Sequence, residues 1–361
     1  MNIFIVGYFG FSNVGDDRIL SKTIAFIRSR YPHVNLCVLC SSDYVRPSCN
    51  PPFCSSQTLA EVTYCSRNNV FCLIKTMIQM DQLVFGGGGI FQDKTSFWSL
   101  LYYGLLVFFA KMLRKKVVCL SQGFGPIDRS ISKRLMAYLL PKIDGLSFRD
   151  AQSLEHASTF VDSRVSDKWV LSADMVYYNA IVASQYSVEK PPLVGLSLRP
   201  FYHSVQCRDA VTHFLSQVAH DFIFLDCHAH IDSDFLNREY PSVRSKLVGQ
   251  LNFISLFSHQ QLVTLLDDYR IFVLIGMRYH SCVWASLRGI PFLALAYDPK
   301  VSYLAKRLGQ PCVDMSNGSV TQACLTDAYQ DLLNRYDMYQ SRLIEQTHVL
   351  IQDSHKNSAL L

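Results

Sequence analysis

Short apolar runs rich in β-branched and aromatic residues alternate with longer segments of helical period along the chain. Residues 2–6 (NIFIV), 35–40 (NLCVLC), 82–85 (QLVF), 116–121 (KVVCLS) and 145–149 (GLSFR) read as strands, and 19–29 reads as the first helix. Near-continuous apolar strands separated by helices predict a parallel sheet covered on both faces. A polar, proline-terminated stretch at 180–192 (AIVASQYSVEKPP) has the composition of an interdomain connection. Beyond it the pattern resumes, with strands at 193–198, 222–225, 271–275 and 292–296. Helices are expected at 209–220, at 260–268 behind a Ser258 cap, and directly after 276–280. The expected fold class is therefore α/β, with two Rossmann-like, doubly wound domains at 1–182 and 193–325. A helical tail at 326–361 is the candidate to pack back on the first domain.

Every unusual glycine or polar cluster follows a strand. Ligands bind at the carboxyl ends of strands in open parallel sheets, so two such domains facing each other would gather these loops around one cleft. After the first strand comes Gly7 to Asp17, where Gly10, Asn13 and Gly15 allow backbone amides to approach an anion or sugar beside a helix N-terminus. The spacing is neither GxGxxG nor a phosphate-binding loop of the Walker type. Asp16 and Asp17 open the helix, and dipole pairing and catalysis stand as equal readings. Gly86 to Gly89, with Gly87 and Gly88 central, followed by Gln92 and Asp93, predicts a loop that needs positive φ or close ligand approach. Gln122 and Gly123 repeat that theme more weakly.

Cations close the pattern. Arg149, Arg278 and Lys300 each follow a strand, and together they point to an anion site rather than to three separate structural ion pairs. His280 is placed to act as a general acid or base near neutral pH, against the alternative of a structural histidine. His228, His230 and Asp232 in LDCHAHID suggest a metal, but the spacing supplies no further ligand, and no metal is expected.

Composition narrows the choice of class. At 361 residues and 49% hydrophobic content the chain suits two domains, each with its own core. A formal charge of +5 without a basic run argues against nucleic acid as a partner. The 12 cysteines are scattered, and Cys37, Cys40, Cys49 and Cys54 lack a histidine at zinc-finger spacing, so reduced cysteines in a cytoplasmic protein are expected. The N-terminal apolar run is too short for a signal peptide. Residues 100–110 form the longest apolar stretch, about half of the ~20 residues that span a bilayer. Followed by Lys111, Arg114, Lys115 and Lys116, this segment is the candidate for peripheral contact at the inner face of a membrane. A buried helix with a basic end is the preferred reading.

In order, GYFGFSNVGDD, FGGGGIFQD, SQGFGP, SFRD, GLSLRP, GMRYHSCVWA and AYDPKV resemble the polysaccharide pyruvyl transferase family over roughly residues 1–315. GMRYH with the later DPK is the most specific part. The resemblance implies a fold like that of GT-B glycosyltransferases. It also implies phosphoenolpyruvate as donor and a hydroxyl pair on a polymeric or lipid-linked saccharide of the cell wall or capsule as acceptor. By position it assigns catalytic duties to Asp16, Asp17, Arg149 and His280 and donor binding to Lys300. Asp17 stands where the family usually has glutamate. No cofactor is implied. A nucleotide-sugar glycosyltransferase of the same architecture and a non-catalytic saccharide-binding relative are the competing expectations, and neither the acceptor sugar nor the oligomeric state is legible.

Overall fold

The structure, a computed structural model, describes residues 1–11, 13–41, 62–94, 96–182, 192–200, 205–228, 231–252, 271–316 and 318–361. The expected helix at 260–268, His230, Cys49, Cys54 and most of the expected interdomain connection lie outside these residues. The chain divides into two compact units, Met1–Asn179 with Leu350–Leu361, and Ala180–Val349.

The first unit contains strands β1 (Asn2–Val6), β2 (Asn35–Cys40), β3 (Val62–Ser66), β4 (Gln82–Phe85), β5 (Gly88–Phe91), β6 (Lys116–Phe124), β7 (Gly145–Phe148) and β8 (Val170–Leu171). Its helices are α1 (Val14–Arg30), α2 (Val70–Gln79), α3 (Phe97–Met112), α4 (Ser130–Leu139), α5 (Ala151–Ser158) and the short α6 (Ser163–Ser166). All strand pairs are parallel, in the order β3-β2-β1-β4-β6-β7-β8, with β5 paired to β6. The chain winds outward from β1 to β3, then returns to β4 and winds the other way. That reversal between β1 and β4 opens a crevice at their carboxyl ends. Right-handed crossovers place α2, α3 and α4 on one face of the sheet. There Met77, Leu100, Tyr103, Val107 and Met136 share a core with strand residues Phe4, Phe85 and Cys119.

The second unit repeats the plan with β9 (Leu193–Ser197), β10 (Phe222–Asp226), β11 (Leu247–Asn252), β12 (Ile271–Gly276), β13 (Phe292–Ala296) and β14 (Cys312–Asp314). These are parallel in the order β11-β10-β9-β12-β13-β14, so its winding reverses between β9 and β12. Its helices are α7 (Val205–Gln217), α8 (Ile231–Glu239), α9 (Tyr279–Leu287), α10 (Pro299–Leu308), α11 (Gln322–Asn334) and α12 (Tyr336–Ser354).

The tail is divided rather than a separate piece. Residues up to Val349 cluster with the second unit, whereas Leu350–Leu361 join the first. Asn357 is fully buried there. Its Nδ2 donates to the hydroxyls of Ser121 and Ser172, each at 2.9 Å, and its Oδ1 accepts from the Ser147 hydroxyl. One side chain therefore ties together buried hydroxyls on β6, on β7 and just past β8.

Candidate functional site

In the first unit the loop after β1 is tied to the start of α1 by its own side chains. Asn13 caps the helix, its Oδ1 accepting from the Gly15 amide at 3.2 Å while its Nδ2 donates to Asp16 at 2.5 Å. The Gly10 amide donates to Asp17 Oδ1 at 3.1 Å. Burial pushes the Asp17 carboxyl above its usual range, and the Gly10 hydrogen bond offsets only part of that. The Gly10 and Gly15 amides, expected to meet a ligand, are thus engaged within the loop. Asp16 instead lies against the next strand end. A Cβ built at Gly88 would stand 3.3 Å from Asp16 Oδ1, and the Gly88 φ of +88° already disfavours side chains.

The glycine run is only half a loop. Gly86 and Gly87 follow β4, but Gly88 and Gly89 open β5, whose pairing with β6 overrides the local preference of glycine. Likewise Gln122 and Gly123 belong to β6 rather than to a loop. Gln122 is fully buried and turns into the sheet, its Nε2 donating to the carbonyls of Leu120 at 3.0 Å and Phe85 at 3.4 Å. Asp93 is likewise engaged by the backbone. Its two oxygens accept from the amides of Asp128 at 2.9 Å and Arg129 at 3.0 Å, just ahead of α4. Burial alone would raise its pKa, but these amides and the Ser132 hydroxyl outweigh burial and hold it low. Gln92 lies half-buried just past β5.

Arg149 does not stand open at the end of β7. Its side chain is buried between Asp150, 3.2 Å away, and Asp174, 3.6 Å away. The guanidinium passes so close over Gly123 that a Cβ there would sit 2.7 Å from Nη2. Isolating this cation in a low-dielectric interior would be costly, and the two carboxylates provide the compensation. Arg67, unmarked in the sequence reading, donates to the Tyr103 hydroxyl at 2.6 Å and lies within about 5 Å of the Phe11 and Tyr102 rings. Tyr103 in turn donates to the Gly7 carbonyl at 3.1 Å, so this brace steadies the glycine loop.

In the second unit, side chains from the ends of β9, β10, β12 and β13 meet. Arg278 follows β12 and forms a two-pronged ion pair with Asp232, through Nε to Oδ2 at 3.0 Å and through Nη2 to Oδ1. The Asp232 side chain is 0% exposed and that of Arg278 15%. Burial pushes the Asp232 carboxyl up, and the guanidinium brings it only part of the way back. Burial opposes the charge on Arg278, but its hydrogen bonds to Asp232 more than offset this. Asp232, read from sequence as a candidate metal ligand, is thus committed to Arg278.

Arg199, just past β9, donates to the Tyr297 hydroxyl at 2.5 Å and stacks 4.5 Å from the centre of that ring. His228 lies close enough to Arg278 and Arg199 to feel both charges. Burial first, then Arg278, hold its pKa below the usual imidazole range. Arg199 and Arg278 supply the cations of this group, with the His228 imidazole, held toward its neutral form, beside them and Tyr297 against Arg199. From sequence Arg278 was picked out for an anion site and His228 only within the metal reading, whereas Arg199 was not picked out, although it sits in a strand-end motif, GLSLRP, that was itself legible. His280 occupies the first turn of α9, two residues beyond Arg278, with its ring edge-on to Tyr279 at 5.1 Å. Lys300 opens α10 beside its cap residue Asp298, whose carboxylate lies 3.5 Å from Nζ.

Comparison with known proteins fits this construction. Over the full chain the structure resembles the lipopolysaccharide outer core galactosyltransferase WaaB in its apo form, at 12% identity, TM-score 0.53 and 99% of each chain covered. It resembles Anabaena HepE in complex with UDP and glucose at 12% identity and TM-score 0.59, covering 99% of this chain and 97% of that one. Acinetobacter baumannii MurG gives 11% identity and TM-score 0.53, covering 100% and 99%. At such identities the likeness establishes the fold alone, which is GT-B-like. No curated protein sequence matches the chain significantly. The sequence pattern of one family, described as Polysaccharide pyruvyl transferase, matches residues 13–299 and so takes in both acids of α1, Arg149, Arg278 and His280. The chain belongs to the polysaccharide pyruvyl transferase family, and is a transferase.

Proposed function

We propose that the chain moves the pyruvyl group of phosphoenolpyruvate onto two hydroxyls of a saccharide, forming a pyruvate ketal and releasing phosphate. The observation that carries this reading is the group of Arg199, Arg278 and His228 at the strand ends of the second unit, with Lys300 on the neighbouring helix. Phosphoenolpyruvate brings a carboxylate and a phosphate, and a site for it needs several fixed donors of the fork and point-charge kinds. Asp232 engages Nε and Nη2 of Arg278, and Nη1 is the group that would meet the donor.

A proton delivered by His280 to the methylene carbon leaves C2 electron-poor, and one saccharide hydroxyl adds there and loses its proton. The C2–O bond to phosphate then breaks with its electron pair on phosphate, whose charge the cations stabilise. The second hydroxyl closes the ketal and gives up its proton. One proton replaces that used by His280 and the other leaves with phosphate. In the first unit Asp16 serves as the group that orients or deprotonates a hydroxyl, while Asp17 holds the loop through Gly10.

Purified protein given phosphoenolpyruvate and a cell-surface saccharide fraction should release inorganic phosphate only when both are present, and the saccharide should yield pyruvate on mild acid treatment. Sugar transfer from a nucleotide sugar, with no phosphate from phosphoenolpyruvate, would instead make this a glycosyltransferase.

A further inference from the structure

No helix among the described residues is long and apolar enough to cross a membrane. Helix α3 is nonetheless apolar on two sides. Its inner side buries Leu100, Tyr103, Leu106, Val107 and Ala110, so the expected buried helix describes only that half. Trp98, Leu105, Phe109 and Met112 are exposed and recur at helical period along the outer side, with Trp98 at 75%. Its neighbours on the same face of the sheet do the same. Helix α2 exposes Phe71, at 86%, with Ile74 and Ile78, and α4 exposes Ile131 and Tyr138. Of the 19 large apolar side chains exposed among the described residues, 11 lie between Val70 and Tyr138. An apolar surface this concentrated is a binding surface.

Its charge identifies the partner. Residues 62–144 contain eleven Lys and Arg against four Asp and no Glu, a local +7 in a chain whose total is +5. Exposed cations lie among the apolar stripes, Lys75 on α2 and Lys133 and Arg134 on α4, and Arg114 and Lys116 follow α3. Lys142 stands 4.4 Å over the ring of Tyr138. Two copies of such a face would bring like charges together, which disfavours self-association. An anionic lipid bilayer offers phosphate to the cations and acyl chains to the aromatic and aliphatic tips. We infer that the outer face of α2, α3 and α4 is a membrane-docking surface for anionic lipid, with Trp98 and Phe109 entering the headgroup boundary.

Full-length protein should co-sediment with vesicles of phosphatidylcholine containing phosphatidylglycerol and far more weakly with phosphatidylcholine alone. Lipids with brominated acyl chains should quench tryptophan fluorescence, and the quenching should vanish in a Trp98→Ser protein. The pair Trp98→Ser with Phe109→Ser should weaken binding at least tenfold. Charge reversal by Arg114→Glu and Lys133→Glu should cost about fivefold or more per residue. All four side chains are exposed, so unfolding curves should match the parent and exclude misfolding. Failure of the parent to bind anionic vesicles, or binding unchanged in both double variants, would overturn the inference. So would a stable dimer in sedimentation equilibrium that Trp98→Ser with Phe109→Ser dissolves, which would assign the face to a second copy of the chain.

Discussion

Arg278→Ala should destabilise the protein by about 3–5 kcal/mol, measured as a lower urea midpoint, because it removes the guanidinium paired with Asp232, whose side chain is fully buried. The loss should depend on pH in a defined direction. Burial already raises the folded-state pKa of Asp232 above the ordinary carboxylate range, and removing the guanidinium pushes it higher. Below about pH 3, where the carboxyl is protonated both folded and unfolded, the penalty is small. It grows as pH rises through the raised folded-state pKa of the parent, where the parent ionises Asp232 against Arg278 and the variant does not, the unfolded carboxyl being common to both. The double variant Arg278→Met with Asp232→Leu should recover most of the stability and still fail to bind phosphoenolpyruvate. That outcome separates the structural duty of Arg278 from its proposed donor contact. A single Arg278→Ala protein within about 1 kcal/mol of the parent would mean that the ion pair does not hold Asp232 in solution.

His280→Ala should lower turnover by about 10²–10⁴-fold, the usual range for a lost general acid, with phosphoenolpyruvate affinity little changed. The residue is half-buried on the first turn of α9, and the acid role requires that its loss leave unfolding near that of the parent. A fall in donor affinity that accounts for the whole loss of activity would make His280 a donor contact instead of the acid. A fall in stability would make it structural.

How legible this was in the sequence depended on where each residue sits in the sheets. The central strands β1, β2, β4 and β13 are buried on nearly every position, and their apolar runs marked their bounds to the residue. Strands at or near the edges were passed over, because β3 (VTYCS) and β14 (CVD) carry too little apolar length to stand out. β5 was hidden by its glycines, which only pairing with β6 makes into a strand.

Among the site residues, the positions past strand ends were readable because glycine and charge are unusual there. Their partners were not. Asp232 meets Arg278 from 46 residues away, and Asp174 meets Arg149 from beyond β8, so no spacing rule links them. The cations were therefore legible in sequence, and the acids beside them in the fold were not. Burying an unpaired guanidinium costs too much, and a strand-end cation that is shielded from water needs an acid from elsewhere in the chain. Asp93 and Gln122 show how local backbone groups, equally illegible in the sequence, engage such side chains. Each has a chemistry-bearing side chain at a suggestive position, and each is directed at backbone groups by the local turn or sheet.

The central claim is that the cationic group of the second unit receives phosphoenolpyruvate. Titration calorimetry of the purified protein with phosphoenolpyruvate, and separately with a uridine-diphosphate sugar, tests it most directly. Saturable binding of phosphoenolpyruvate that is lost in Lys300→Ala and in the Arg278→Met, Asp232→Leu protein is the predicted result. Tight binding of the nucleotide sugar with none of phosphoenolpyruvate would contradict the account.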